Sequence, residues 1–167
     1  FNIYDALKSC EDILLQFGGH SAAAGFSIDA NRIDELRERL TKYCKAVITE
    51  EEYIPVVAID AELPVDDIDV DIIDRVSDLE PYGMANSTPV FAIMEATVQD
   101  IMLMGQLKNH CKIIFETSNG TLDAIAWNRP DLFKFIFVGT VVKVAFSLQK
   151  NEWQGMVSPQ LMIQAIE

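Results

Sequence analysis

The stretch Cys111-Lys112-Ile113-Ile114-Phe115-Glu116-Thr117-Ser118-Asn119-Gly120-Thr121-Leu122-Asp123-Ala124-Ile125-Ala126-Trp127 decides the fold. Cys111–Glu116 reads as one strand and Leu122–Trp127 as the next. Ser118-Asn119-Gly120 lies between them and carries the Asn-Gly signal of a tight hairpin turn. The same texture continues on both sides. Residues 90–104 are long and apolar, enough for one bent strand or two. Asn128-Arg129-Pro130-Asp131 breaks the pattern, and Leu132–Phe137 fits a short helix as well as a strand. Val141–Leu148 reads as a strand, with Phe146 and Leu148 alternating into the core. Asn151-Glu152 reads as a turn, and Trp153–Ile166 as a last strand kinked at Pro159. Five or so strands in a stretch of roughly 80 residues predict a small closed antiparallel barrel.

Upstream of the barrel the periodicity is helical. Ala6, Leu7, Cys10, Ile13, Leu14 and Phe17 share one face of a predicted helix over residues 5–17, with Gly18 where a helix stop belongs. Ser21–Ile28 is small and then apolar, which suits a buried strand. A second helix follows, with Asn31 as its expected cap and Ile33, Leu36, Leu40, Tyr43 and Val47 as its core stripe. Glu50-Glu51-Glu52 marks a solvated boundary. Ile54–Leu63 is strand-like. An acidic helix over about 66–80 runs through Ile72, Val76 and Leu79 until Pro81 and Gly83 end it. The fold class expected is therefore α+β.

The net charge of −13 argues at first against a polyanionic partner. Its distribution removes that objection. Residues 1–53 hold 6 basic and 10 acidic residues, residues 54–100 hold 1 basic (Arg75) and 11 acidic, and residues 101–167 hold 6 basic and 5 acidic. The acidity is concentrated in the middle, and the barrel region can offer local positive charge. No apolar run reaches the roughly 18 residues of a membrane span. Cys10, Cys44 and Cys111 are odd in number and widely spaced, as expected of free thiols in a reducing cytosol. The start at Phe1-Asn2-Ile3-Tyr4, without Met or signal peptide, reads as a cut inside a larger protein.

Gly18-Gly19-His20-Ser21 is the stretch richest in chemistry. Paired glycines let a backbone approach a ligand closely, and exposed N–H groups in such a loop hold phosphate oxygens. His20 and Ser21 would add donors. On pattern alone a plain helix stop with a satisfied histidine explains the same residues equally well. Asp66, Asp67, Asp69, Asp71 and Asp74 alternate with apolar residues at a helix start and read as a solvated face, not a metal site. His110, beside Asn109 in a predicted turn, is expected at the surface. Single strands are held on barrels by stacking aromatics and by Lys or Arg on the phosphates. The candidates are Phe91, Phe115, Trp127 and Trp153, with Lys108, Lys112, Arg129 and Lys143. Core packing explains each aromatic as readily. Trp127 stands out because it falls on the strand face opposite Leu122, Ala124 and Ala126. Lys108 and Arg129 stand out because they flank loops.

Phe17-Gly18-Gly19-His20 with Ala23-Ala24-Gly25 resembles the GGHxxAAG motif of the DHHA1 domain, the second half of the DHH phosphoesterase superfamily. Tyr4-Asp5-Ala6-Leu7 fits that domain's lead-in. Leu79–Asn86 with Pro89-Val90-Phe91 resembles a segment of RecJ-type single-stranded-DNA exonucleases. Leu122–Trp127, Phe146-Ser147-Leu148, Asn151-Glu152-Trp153 and Gly155 resemble the OB domain of those proteins. The sequence departs from the pattern at Ala85, Ser87 and Thr88, where the family tends to have Gly, Pro and Glu.

The resemblance implies a partial DHHA1 α/β unit over residues 1–53 and an OB domain over residues 54–167. It implies a 5′-to-3′ exonuclease of DNA repair and recombination, cytoplasmic and bacterial. In such an enzyme a DHH domain outside this chain holds two Mn²⁺ or Mg²⁺ ions and hydrolyses the phosphodiester. Gly18, Gly19, His20 and Ser21 would hold substrate phosphate, while Trp127, Lys108, Arg129 and Lys112 would contact the single strand. No catalytic or metal residue is expected in this chain, which alone should be inactive. Expected partners are single-stranded DNA and a single-strand-binding protein or helicase. A DHH phosphodiesterase of short oligonucleotides or cyclic dinucleotides is an alternative, as is a non-catalytic OB module binding single-stranded DNA or protein.

Overall fold

The side chain of Asn2 accepts hydrogen bonds from the N–H groups of Tyr4 and Asp5 and so caps α1 (Ile3–Lys8). The helix ends far short of the predicted Phe17. Ser9 closes it, donating from its hydroxyl to the Ala6 carbonyl at 2.6 Å. A 3₁₀ turn over Glu11–Ile13 carries the chain on, and β1 (Gln16–His20) begins where a last helical turn was expected. Gly18 is thus mid-strand and not a helix stop. β1 pairs antiparallel with β2 (Ala23–Ser27) as a largely exposed hairpin, so the expected buried strand is corrected too. Asn31 does not cap the next helix. It lies inside a 3₁₀ turn, Ala30–Arg32, that leads into α2 (Ile33–Val47). Leu36 is buried against Cys10 and Ile13, Leu40 packs on them, and Ile33 and Val47 are exposed.

These elements make up one of two units, Phe1–Val56; the other is Val57–Glu167. The computed structural model describes all residues from 1 to 167. In the first unit Glu50-Glu51-Glu52 lies in a 3₁₀ turn, Glu50–Tyr53, with a reciprocal cap in which the side chain of Glu52 accepts from the Thr49 N–H at 2.9 Å.

The second unit is built on a barrel. Only Ala61–Glu62 (β3) of the predicted strand at 54–63 forms, pairing parallel to Phe91–Ala92. Asp69 accepts from the Ile72 N–H at 2.9 Å and caps α3 (Val70–Ser77), a contact worth about 1 kcal/mol. Ile73 of α3 is buried, and Ile72 and Val76 pack against the barrel core. The aspartates of this segment are more than a solvated face. Asp66 accepts from the Ser118 N–H and Asp74 pairs with Lys150, while upstream of the segment Asp60 accepts from the Val90 N–H.

β4 (Phe91–Met104) is one strand, bent at irregularities between Ile93 and Ala96 and between Val98 and Asp100. The bends let its first half pair with β7 (Val141–Trp153) and its second half with β5 (His110–Thr117). β5 turns at Asn119-Gly120 into β6 (Gly120–Ala126), as expected. A connector containing a 3₁₀ turn, Pro130–Lys134, then crosses to β7. β7 returns into β8 (Met156–Ile166) through Gln154 and Gly155, not through Asn151-Glu152, which are still in the strand. β8 lies between β7 and β6, antiparallel to one and parallel to the other, giving a closed ring β4-β5-β6-β8-β7. The barrel is therefore mixed where an all-antiparallel one was expected. The connector brings β7 and β8 to the far side of β6, and a parallel neighbour requires such a crossover. Five strands in this order form an OB-like barrel. Its core includes Phe115, Phe146, Ile93, Ile113 and Leu161, and no polar or charged side chain is buried in it. No helix is long and apolar enough to cross a membrane.

Candidate nucleic-acid interface

In the first unit the register of the hairpin is Gly18↔Gly25, Gly19↔Ala24 and His20↔Ala23, leaving Ser21-Ala22 as its turn. His20 closes this turn, its Nδ1 accepting from the Ala22 N–H at 3.3 Å. The Ser21 carbonyl accepts from the Ile3 N–H at 3.0 Å, which ties the turn to the start of α1. Gly19 has φ +140°, and a Cβ there would sit 2.3 Å from the Ala23 carbonyl oxygen. Phe17 packs on Tyr4 with ring centroids 5.7 Å apart. The glycines leave an open hollow of about 220 Å³ bordered by Gln16, Gly18, Gly25 and Phe26. The four sequence candidates Gly18, Gly19, His20 and Ser21 thus form one exposed strand-and-turn element with no bulk over it.

The second cluster sits at one end of the barrel. Strand alternation on β5 sends Cys111, Ile113 and Phe115 inward and His110, Lys112 and Ile114 outward. On β6 it sends Leu122, Ala124 and Ala126 inward, and the alternation continues to Trp127 outside. Trp127 is 50% exposed. Its indole meets the His110 ring edge-on, with centroids 4.6 Å apart. The turns on either side are stitched together: the Asn128 N–H donates to His110 Nδ1 at 3.0 Å, and the Asn109 amide donates to Asn128 Oδ1 at 3.3 Å. This brings the Lys108 turn and the Arg129 turn to the same end.

The basic candidates differ in what they have free. Arg129 grips Asp131 through Nε and Nη2, and that guanidinium holds the Asp131 carboxyl below its ordinary value. Lys112 pairs with Asp123 at 2.6 Å on the outer face. Lys108 makes no ion pair. Phe115 is fully buried and Phe91 nearly so, which removes both as stacking platforms, whereas Trp153 is exposed. Lys143 is exposed on β7, its backbone paired with that of Glu167. Burial pushes the Cys111 thiol up, with Asp131 adding to the shift, so it stays protonated beneath the site. Sequence reasoning missed His110 as part of the platform. The available signal was its place directly across the hairpin from Trp127, one step beyond the Cys111↔Ala126 pair.

The family model of the RecJ OB domain matches residues 59–165. The single-stranded-DNA-specific exonuclease RecJ of Bacillus subtilis is 35% identical over 163 residues, covering 98% of this chain and 21% of that protein. The protein of the same name from Thermus thermophilus is 28% identical, with 98% and 22% covered. The crystal structure of the Thermus thermophilus RecJ with Mg²⁺ superposes with a TM-score of 0.77 at 26% identity, covering 99% of this chain and 25% of that one. The chain thus spans roughly a fifth to a quarter of the length of these relatives.

Proposed function

Because the chain belongs to the family of the RecJ OB domain, we propose that it is the single-strand-binding part of a 5′-to-3′ single-stranded-DNA exonuclease acting in DNA repair and recombination. The observation that carries this reading is the half-exposed Trp127 on the outside of an OB-like barrel, propped by His110 and flanked by the unpaired Lys108. An indole accepts any base on its face, and a nearby ammonium attracts the backbone, which suits sequence-independent binding. The first unit is read as part of a DHHA1 domain. Its Gly18-Gly19-His20-Ser21 element would meet a substrate phosphate with backbone N–H groups and small side chains. A single-strand-binding protein or helicase would act with the whole enzyme, in the cytoplasm.

Hydrolysis is assigned to a DHH domain outside these residues, where Mn²⁺ or Mg²⁺ would activate water. The chain's own side chains do not fit such a centre, since no three His, Cys, Asp or Glu side chains converge as ligands. No step of the reaction is therefore placed on them. Incubated with Mn²⁺ and a 5′-phosphorylated single strand, the chain is expected to release no mononucleotide; metal-dependent release that persists through repeated purification would refute this assignment.

Binding is the direct test. Anisotropy of a labelled oligothymidylate should rise on adding the chain. Trp127→Ala should weaken that binding about 5- to 150-fold, corresponding to about 1–3 kcal/mol for one stacked base. An unchanged affinity would remove Trp127 from the interface.

A further inference from the structure

The connection between β7 and β8 is a tight two-residue turn, with Gln154 at φ +51° and Gly155 at φ +78°. It presents Trp153, 69% exposed, beside its cross-strand partner Met156. No aromatic ring or cation covers this indole. Strand alternation decides which way it faces. Val144, Phe146 and Leu148 point into the barrel, so Gln149, Asn151 and Trp153 fall on the outside. Their partners Gln160, Ser158 and Met156 on β8 share that side. The parallel pairs Asp123↔Gln160 and Ile125↔Met162 join this surface to the outer face of β6, which ends in Trp127. Both tryptophans therefore stand on one continuous outer sheet.

Charge is low along this surface, because the acid beside Gln160, Asp123 on the outer face of β6, is paired with Lys112 of β5. The outer rows of the β7–β8 hairpin are amides and hydroxyls with no ionised side chain between Gln149 and Trp153. Lys150 and Glu152 alternate to the opposite side, where Lys150 pairs with Asp74 of α3. The outer face of β4 and β5 carries Asp100 and Glu116 instead, which would repel phosphates. Amide and hydroxyl groups donate to phosphate oxygens and base edges without this repulsion. From Trp127 to Trp153 the path follows β8 for roughly 25 Å at about 3.3 Å per residue. At a stacked spacing of about 3.4 Å that is roughly seven nucleotides, within the roughly 4–16 that such a barrel occupies.

We propose that Trp153 is a second stacking site for single-stranded nucleic acid, reached from Trp127 across the amide- and hydroxyl-lined outer face of β8 and β7. The inference rests on the binding reading above. It adds a direction to the strand's course and assigns the hairpin tip a ligand.

The chain has two tryptophans, so each can be made the sole reporter. Trp127→Phe leaves only the emission of Trp153, and Trp153→Phe leaves only that of Trp127. A 12-nucleotide oligothymidylate should quench both proteins, and Trp153→Ala should weaken its binding about five- to hundredfold. Quenching of Trp127 with no change at Trp153, and full affinity in Trp153→Ala, would overturn the second site while leaving the first intact. Unchanged emission from both, with no change in anisotropy, would overturn the underlying binding reading, and the second site with it.

Discussion

Gly19→Ala is expected to dismantle the β1–β2 hairpin while the barrel stays folded. At φ +140° a side chain is strained by about 1–3 kcal/mol before any contact is counted. The new Cβ would also lie 2.3 Å from the Ala23 oxygen and 2.5 Å from the Ala24 Cα. Both are backbone atoms, so relief requires the paired strands to separate. The unit has little to resist with, since its buried side chains are Ala6, Leu7, Cys10, Ile13 and Leu36. The neighbouring change supplies the control: a Cβ on Gly18 meets open space, and Gly18→Ala should be tolerated. Hydrogen exchange separates the outcomes. Amides of residues 16–27 should lose protection in Gly19→Ala and keep it in Gly18→Ala, with β5 and β6 protected in both. Full protection of the hairpin in Gly19→Ala would contradict the geometry described for this turn.

Phe146→Ala should strike the other unit. Phe146 is fully buried, packs on Phe91 with centroids 6.1 Å apart, and faces it in the pairing that closes the barrel. Emptying that volume should cost about 3–5 kcal/mol, a large part of the roughly 5–15 kcal/mol that holds an ordinary domain together. Both tryptophans lie in this unit, so their emission follows barrel unfolding in urea. A midpoint shift equivalent to less than about 1 kcal/mol would mean that the ring is not the keystone its burial indicates.

Local chemistry explains which features the sequence announced. The β5–β6 hairpin was legible because alternation and an Asn-Gly turn occur together over few residues. Trp127 was legible for the same reason, since alternation alone places it opposite Leu122, Ala124 and Ala126. The run from Asp5 to Phe17 misled because a short helix followed by a 3₁₀ turn buries Ala6, Leu7, Cys10 and Ile13 at nearly the spacing of one long helix. The parallel β6–β8 pair carries no local signature at all, since it joins residues 123–125 to residues 160–162. His110 escaped for a related reason: its role comes from the residue across the hairpin, not from its sequence neighbours. The two glycines look alike on paper, and only the fold shows that one sits in open space and the other against backbone.

Closure of the ring also governs how the chain can acquire its shape. The bond between β4 and β7 joins Phe91 to Phe146, and β8 is held on both flanks, by β6 and by β7. Contacts this distant along the chain form slowly, on millisecond-to-second scales in comparable small barrels. Until β8 is in place, β6 and β7 each keep an open edge. During synthesis the hairpin of β5 and β6 can form as soon as it is made, whereas the barrel must wait for its final strand. A ribosome pausing before residue 160 would therefore hold a half-built sheet with exposed edges, the state in which a newly made chain is most open to mispairing.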